Sequence, residues 1–241
     1  MKKFSLRCEC EKKARGWIYD FLNLLYPRVC IGCGEALFKN EEDLCLSCLL
    51  QLPLMRDNAQ FDNFIEERFY GRLKVEHATS FLYYEKETVA QKILHEIKYH
   101  GNKELGRRLG AMFGAKMLRE QFPLPEALVP VPLHPNKLRL RGYNQSEWIA
   151  KGISETTGLP VWTNVLERIV ENSTQTKKGV VERWENVKDI FQLTHQRAVD
   201  GCHLMIVDDV LTTGATIEAC ARPFSECEKV RISIAALAAV Y

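Results

Sequence analysis

Apolar and polar positions change rhythm several times along the chain, and those changes divide it. Residues 17–26, WIYDFLNLLY, carry apolar side chains at helical spacing, and Pro27 stands where that helix should stop. From Cys30 to Cys48 the periodicity fades, and Gly32 and Gly34 lie beside the first cysteine pair, as suits knuckles folded around something other than a hydrophobic core. QLPLMRDNAQFDN then reads as a polar connector. The β-branched and aromatic mixture KVEHATSFLYYEKETV opens a larger domain with a strand. AQKILHEIKYHGN and KELGRRLGAMFGAKMLRE follow with helical period, interrupted near Gly101 and finished before Pro123.

The second half alternates. ALVPVPL reads as a short strand, HPNKLRLRGYNQ as a polar loop, SEWIAKGISETTG as a helix, and VWTNVLERI as a strand or a strand and turn. QTKKGVVERWENVKDIFQL is charged and aromatic and fits no single state. CHLMIVDDV is a strand of the buried type, TIEACARPFSE a helix weakened by Pro223, and VRISIAALAAV a final strand. Strands alternating with helices over 85–241 predict an α/β domain around a mostly parallel sheet, in which ligands bind beyond the carboxyl ends of the strands. The expected division is a helix and four-cysteine element over 1–55 and the α/β domain over 75–241.

Composition narrows the function classes. With 241 residues, 46% of them hydrophobic, the chain can bury a good-sized core. A formal charge of +2 gives no global case for nucleic-acid or membrane binding, so any such contact needs a local patch. MKKFSLRCECEKKARGW lacks the continuous apolar core of a secretory signal, and ISIAALAAVY is too short to cross a bilayer as a helix. A soluble cytoplasmic protein is expected, with no membrane span.

Of nine cysteines, four form two C-x2-C pairs, Cys30/Cys33 and Cys45/Cys48, eleven residues apart. In a reducing compartment such spacing favours a metal over disulfides. Two knuckles can present four thiolates tetrahedrally to a structural Zn²⁺, leaving no position for a catalytic water. An iron–sulfur cluster or disulfides would use the same spacing. Cys8 and Cys10 stand outside the pattern.

IVDDVLTTGAT, residues 206–216, ends an apolar run in two adjacent carboxylates and a Thr/Gly turn. If the turn joins a strand to a helix starting near Thr216, its backbone N–H groups and the hydroxyls of Thr212, Thr213 and Thr216 make a phosphate cradle. Carboxylates would repel a phosphate, but they can accept sugar hydroxyls or lie near Mg²⁺. Sugar phosphate is the implied ligand. The alternative is a solvated Asp pair on an ordinary turn.

Apolar run, two acids and T-G-x-T resemble the phosphoribosyl-pyrophosphate (PRPP) motif of type I phosphoribosyltransferases. The resemblance implies Asp208 and Asp209 as ribose acids and Thr212, Thr213, Gly214, Ala215 and Thr216 as the 5′-phosphate loop. Some purine enzymes of that family carry an acid where this chain has Thr212, so a purine acceptor is not supported. ALVPVPLHPNKLRLRGYNQSEWIAK, the four cysteines, and Arg168, Thr174 or Gln175, Arg183, Asn186, Val187 and Phe191 in the segment RIVENSTQTKKGVVERWENVKDIF are together similar to the ComF family, phosphoribosyltransferase-like proteins associated with competence and DNA uptake.

Lys137, Arg139 and Arg141, in a loop after a core strand, could face the pyrophosphate of PRPP and stabilise charge on it, with Mg²⁺ bridging pyrophosphate and ribose. The same cations with Tyr143 could instead track a single strand's phosphates. Lys177, Lys178 and Arg183 are candidates for a closing loop. His134 reads as orienting the basic loop. The resemblance thus implies a PRPP or ribose-phosphate binder in DNA uptake, with single-stranded DNA and a helicase-like competence protein as partners. An active transferase with an unidentified acceptor and a catalytically silent PRPP sensor are the alternatives. The small domain would cover the substrate or dock a partner.

Overall fold

The computed structural model describes residues 27–55, 64–170, 190–194 and 199–240. The helix expected over 17–26 and the whole of the segment 171–189 lie outside the described residues. The chain divides into two compact units, Met1–Leu52 and Pro53–Tyr241. In the first, an isolated antiparallel bridge joins Val29 to Ala36, and a short helix, α1 (Leu46–Leu50), starts just after Cys45, its N-cap, and carries Cys48.

The second unit is built on a four-stranded parallel sheet. β1 (Ala78–Tyr84), β6 (Arg231–Val240), β5 (His203–Leu211) and β2 (Ala127–Pro130) lie side by side in that order. Every pairing is parallel, so each connection must cross over through helices, which cover the faces. α2 (Phe64–Glu67) precedes β1. α3 (Val89–Tyr99), α4 (Lys103–Arg119), α5 (Pro135–Arg141), α6 (Gln145–Thr157) and α7 (Ala215–Ala221) follow in chain order. A separate antiparallel pair joins β3 (Leu166–Arg168) to β4 (Phe191–Leu193). This is the α/β architecture expected from the sequence, a mostly parallel sheet flanked by helices.

β5 is an interior strand, which is why it reads as a continuous apolar run. Its residues Leu204 to Val207 are all buried, with Leu204 and Ile206 joining Ile217, Cys220 and Phe224 in one core cluster. Phe81 and Phe113, with ring centroids 5.6 Å apart, belong to a core that also buries Ile93, Ile97, Leu109 and Ile149.

Helix α4 carries Gly106, Gly110 and Gly114 at four-residue spacing along one face. A Cβ at Gly110 would come within 2.2 Å of the Ile149 carbonyl oxygen, and one at Gly152 within 1.9 Å of the Arg107 carbonyl. The two backbones therefore approach too closely for any side chain at these positions, and this contact fixes α6 and its N-terminus. α3 and α4 are separate helices because Gly101, at φ +76°, follows the end of one, while the Asn102 side chain caps the other by accepting from Leu105 N at 3.0 Å.

The polar loop expected at HPNKLRLRGYNQ is instead largely helix. His134 Nδ1 accepts from Asn136 N at 3.3 Å, Pro135 sits in the first turn with its φ already set, and Gly142, at φ +82°, closes the C-terminus by donating to the Leu138 carbonyl at 2.7 Å. The capping residues were present in the sequence; the alternation of Lys and Arg with leucines hid them. Among the described residues, no helix is long and apolar enough to cross a membrane.

Candidate functional site

Asp208 and Asp209 end the apolar run of β5 and are both buried, at 8% and 7% exposure. Their mutual repulsion is answered by groups from two helices. Lys98 Nζ, near the end of α3, lies 3.0 Å from Asp209 Oδ1, and Gln145 Nε2 donates to Asp209 Oδ2 at 3.0 Å. Ser146 Oγ donates to Asp208 Oδ1 at 3.2 Å, and the same oxygen accepts from Asp209 N at 2.8 Å. Gln145 and Ser146 open α6, where the helix dipole also favours a carboxylate. Burial and the neighbouring charge of Asp209 push the Asp208 carboxyl up to about 7, against the opposing pull of the Asp209 N–H, Lys98 and Ser146.

The turn into α6 is itself tied down. Asn144 caps the helix through Oδ1 to Ser146 N at 3.2 Å and donates through Nδ2 to the Val131 carbonyl at 3.0 Å. The Tyr143 hydroxyl donates to the Ile97 carbonyl, next to Lys98, so the end of α3 and the start of α6 are joined beside the acids.

Beyond β5 the chain turns at Thr212–Thr213–Gly214 into α7, beginning at Ala215. Thr212, Thr213, Ala215 and Thr216 are exposed, and the Thr213 hydroxyl accepts from Ala215 N at 3.4 Å. Gly214 has φ +83°, and a Cβ there would meet Phe69 at 2.8 Å. The loop is held from outside by the segment after α2: Arg68 donates to the Thr212 carbonyl, and Arg72 donates to the Thr213 carbonyl at 3.1 Å while pairing with Glu218 at 3.3 Å. Arg68, Phe69 and Arg72 were not anticipated. They lie before the strand where the pattern of the larger domain becomes clear.

The basic residues are on α5. Arg139 is exposed, Lys137 and Arg141 are half-buried, and the Arg141 guanidinium lies 5.7 Å from the ring centre of Tyr99, itself 65% exposed. Of the later pattern, Arg168 and Phe191 face each other across the β3–β4 pair, with the guanidinium 5.3 Å from the ring centre. They line a cavity of about 210 Å³ with Ala215, Thr216 and Arg222. Thr174, Gln175, Lys177, Lys178, Arg183, Asn186 and Val187 lie outside the described residues.

In the first unit, one sulfur from each of Cys30, Cys33, Cys45 and Cys48 lies within 4.8 Å of the others. The Cys33 and Cys45 sulfurs are 3.8 Å apart, the separation that two metal–sulfur bonds of about 2.3 Å give at a tetrahedral angle. Cys45 N points to the Cys30 sulfur at 3.2 Å and Cys48 N to that of Cys45 at 3.4 Å. Burial raises the Cys30 thiol, but the N–H groups of Cys45, Cys33 and Gly32 outweigh it and bring it down to about 6. Burial and the neighbouring sulfurs push Cys48 up to about 12. Four thiols so close cannot all ionise without a cation, and the set could hold a metal ion.

No family model matches the chain. It is 30% identical over 129 residues, 52% of its length and 56% of the relative's, to DNA utilization protein YhgH of Salmonella typhi. It is 34% identical over 98 residues, 40% and 43% of the two lengths, to Competence protein F of Haemophilus influenzae. With Competence protein ComFC of Bacillus subtilis it shares 26% over 139 residues, 58% and 55% of the two lengths. The matched region spans about half the length of these curated relatives. Among solved structures, a glutamine PRPP amidotransferase from B. subtilis overlays on 58% of this chain and 30% of its own, at 18% identity and a TM-score of 0.38.

Proposed function

Taking as premise that the chain is a homologue of the ComF, ComFC and YhgH proteins, we propose that it binds PRPP or a related ribose phosphate and serves DNA uptake in the cytoplasm. One observation carries the ligand reading: a buried acid pair at the carboxyl end of an interior parallel strand, followed at once by an exposed Thr/Gly turn at a helix start. Asp208 and Asp209 then accept the ribose hydroxyls. The N–H groups and hydroxyls from Thr212 to Thr216 receive the 5′-phosphate.

Lys137, Arg139 and Arg141 serve either the pyrophosphate or a single-stranded DNA segment. Arg141 stacked over an exposed Tyr99 favours the nucleic-acid use, since a ring and a guanidinium offer a base a platform. A helicase-like partner follows from the DNA-uptake reading. Zinc is the metal proposed for the four cysteines, with a structural role. Mg²⁺ would arrive with the pyrophosphate of PRPP rather than on the carboxylates, three of whose four oxygens already accept from Lys98, Gln145, Ser146 and Asp209 N.

Thermal denaturation tests the ligand reading. PRPP or ribose 5-phosphate should raise the midpoint of the zinc-loaded protein, and Thr213→Val/Thr216→Val should reduce the rise. If neither ligand moves the midpoint, the reading fails. The DNA role predicts that Asp208→Asn lowers transformation frequency in a competent host that depends on this chain. Transferase activity is a second reading, favoured by both acids being present, and it requires pyrophosphate release when an acceptor is added. Saturable PRPP binding without release across an acceptor panel would mark a sensor instead.

A further inference from the structure

The acid pair already has a cation. Lys98 reaches Asp209 from the last turn of α3, its Nζ 3.0 Å from Oδ1, with the side chains of the two residues only 21% and 10% exposed. Asp209 Oδ2 is occupied by Gln145, and Asp208 Oδ1 accepts from both Ser146 and Asp209 N. A small divalent cation such as Mg²⁺ requires near-octahedral oxygen ligation and keeps several waters. Three of the four carboxylate oxygens are already turned toward N–H and O–H donors, and the ammonium beside Asp209 repels a second cation. The residues do not fit a divalent ion held between the acids.

The lysine is also held in place. Ile97 is fully buried, and its carbonyl accepts from the Tyr143 hydroxyl, so the backbone beside Lys98 is anchored to the turn that presents Gln145 and Ser146. Gln145 is 2% exposed, and its Oε1 has no hydrogen-bond donor among the described residues. The amide that grips Asp209 thus keeps a buried acceptor beside the acids, which a hydroxyl donor would satisfy.

We propose that Lys98 is the resident counter-cation of the sugar site, balancing the acid pair so that the carboxylates receive ribose hydroxyls without a divalent ion between them. This rests on the ribose-phosphate reading and specifies it: the sugar end of the site is independent of divalent cations. Lys98 acts through Asp209 and is a positioning residue. A lysine retained only for stability would leave the cation dependence of binding untouched.

The test has two arms, both on zinc-loaded protein in chelator-free buffer. In the first, Mn²⁺ alone is titrated without sugar and followed by electron paramagnetic resonance. Wild type should show no Mn²⁺ site that Asp209→Asn removes. Lys98→Met should gain one, binding Mn²⁺ at least about tenfold more tightly than any residual binding by wild type, and Lys98→Met/Asp209→Asn should lose it again. In the second, ribose 5-phosphate is titrated with and without Mg²⁺. Wild-type affinity should change by less than about threefold, whereas Lys98→Met should lose about tenfold without Mg²⁺ and regain most of it with Mg²⁺. Lys98→Arg should stay close to wild type.

A wild-type Mn²⁺ site dependent on Asp209, or sugar binding by Lys98→Met equal to wild type without Mg²⁺, would overturn the proposal. If no variant bound ribose 5-phosphate, the function proposed above would fall, while the Mn²⁺ arm would still decide the role of Lys98. Should Lys98→Met not fold, comparing Lys98→Met/Asp209→Asn with Asp209→Asn alone keeps the question open to measurement. Asp209→Asn removes the carboxylate that Lys98 faces and so leaves the ammonium nothing to balance there, and equal sugar affinity without Mg²⁺ in the two is the expected result; a further loss in the double variant would count against a role confined to Asp209.

Discussion

Asp208 shows how burial and chemistry meet in one side chain. Its carboxyl is raised to about 7 by desolvation and by Asp209, so the folded protein holds this proton more tightly than the unfolded chain, where an aspartate titrates near 3.9. Between those values the native state binds more protons, and stability falls as pH rises toward 7. Asp208→Asn should therefore stabilise the protein at pH 8 and have much less effect near pH 4, read as the difference in denaturation midpoint between variant and wild type. An equal effect at both pH values would contradict the assignment. Gly214 makes a second residue-scale case, because it combines φ +83° with Phe69 where a Cβ would lie. Gly214→Ala should cost about 1–3 kcal/mol in chemical denaturation and shift the loop against Phe69. The acid pair and the glycine were legible in the sequence as a motif. Lys98 was not, since nothing local distinguishes it among 33 basic residues and its partner lies on a distant strand.

At the scale of elements, the site depends on where α6 begins, and α6 is placed by its contact with α4. The Cβ of Gly152→Ala would collide with backbone atoms of Arg107 and Ala111, at 1.9 and 2.7 Å, so the helices must separate. The expected result is a lowered midpoint together with weakened ribose-phosphate binding, because Gln145 and Ser146 move with the helix; an unchanged midpoint would contradict the packing account. The order of strands and helices was readable because hydrophobic period is a local property. α5 was misread as a loop because its Lys, Arg and Leu alternate and no face of it is buried, leaving only the His134–Pro135 start and the Gly142 stop as signals. The Arg68–Arg72 clasp on the Thr/Gly loop was invisible for a different reason: it joins segments far apart in sequence through side chains that reach main-chain carbonyls.

At the scale of the whole molecule, the two units rest on different chemistry. Pro53–Tyr241 has an extensive apolar core on its sheet, whereas the four-cysteine unit shows Cys30, Leu44, Cys48 and Leu52 as its buried apolar residues among those described. Metal removal should expose the four thiols to a disulfide reagent while leaving the main thermal transition of the α/β unit in place. Acidification should release the metal, since protons compete for the thiolates that hold it. The central claim is that β5 and the turn after it form a ribose-phosphate site, and calorimetric titration of PRPP into zinc-loaded protein tests it most directly. The account predicts saturable binding to wild type that Asp208→Asn/Asp209→Asn weakens by about a hundredfold or more. Absence of binding to folded wild type, or equal binding by the double variant, would contradict it.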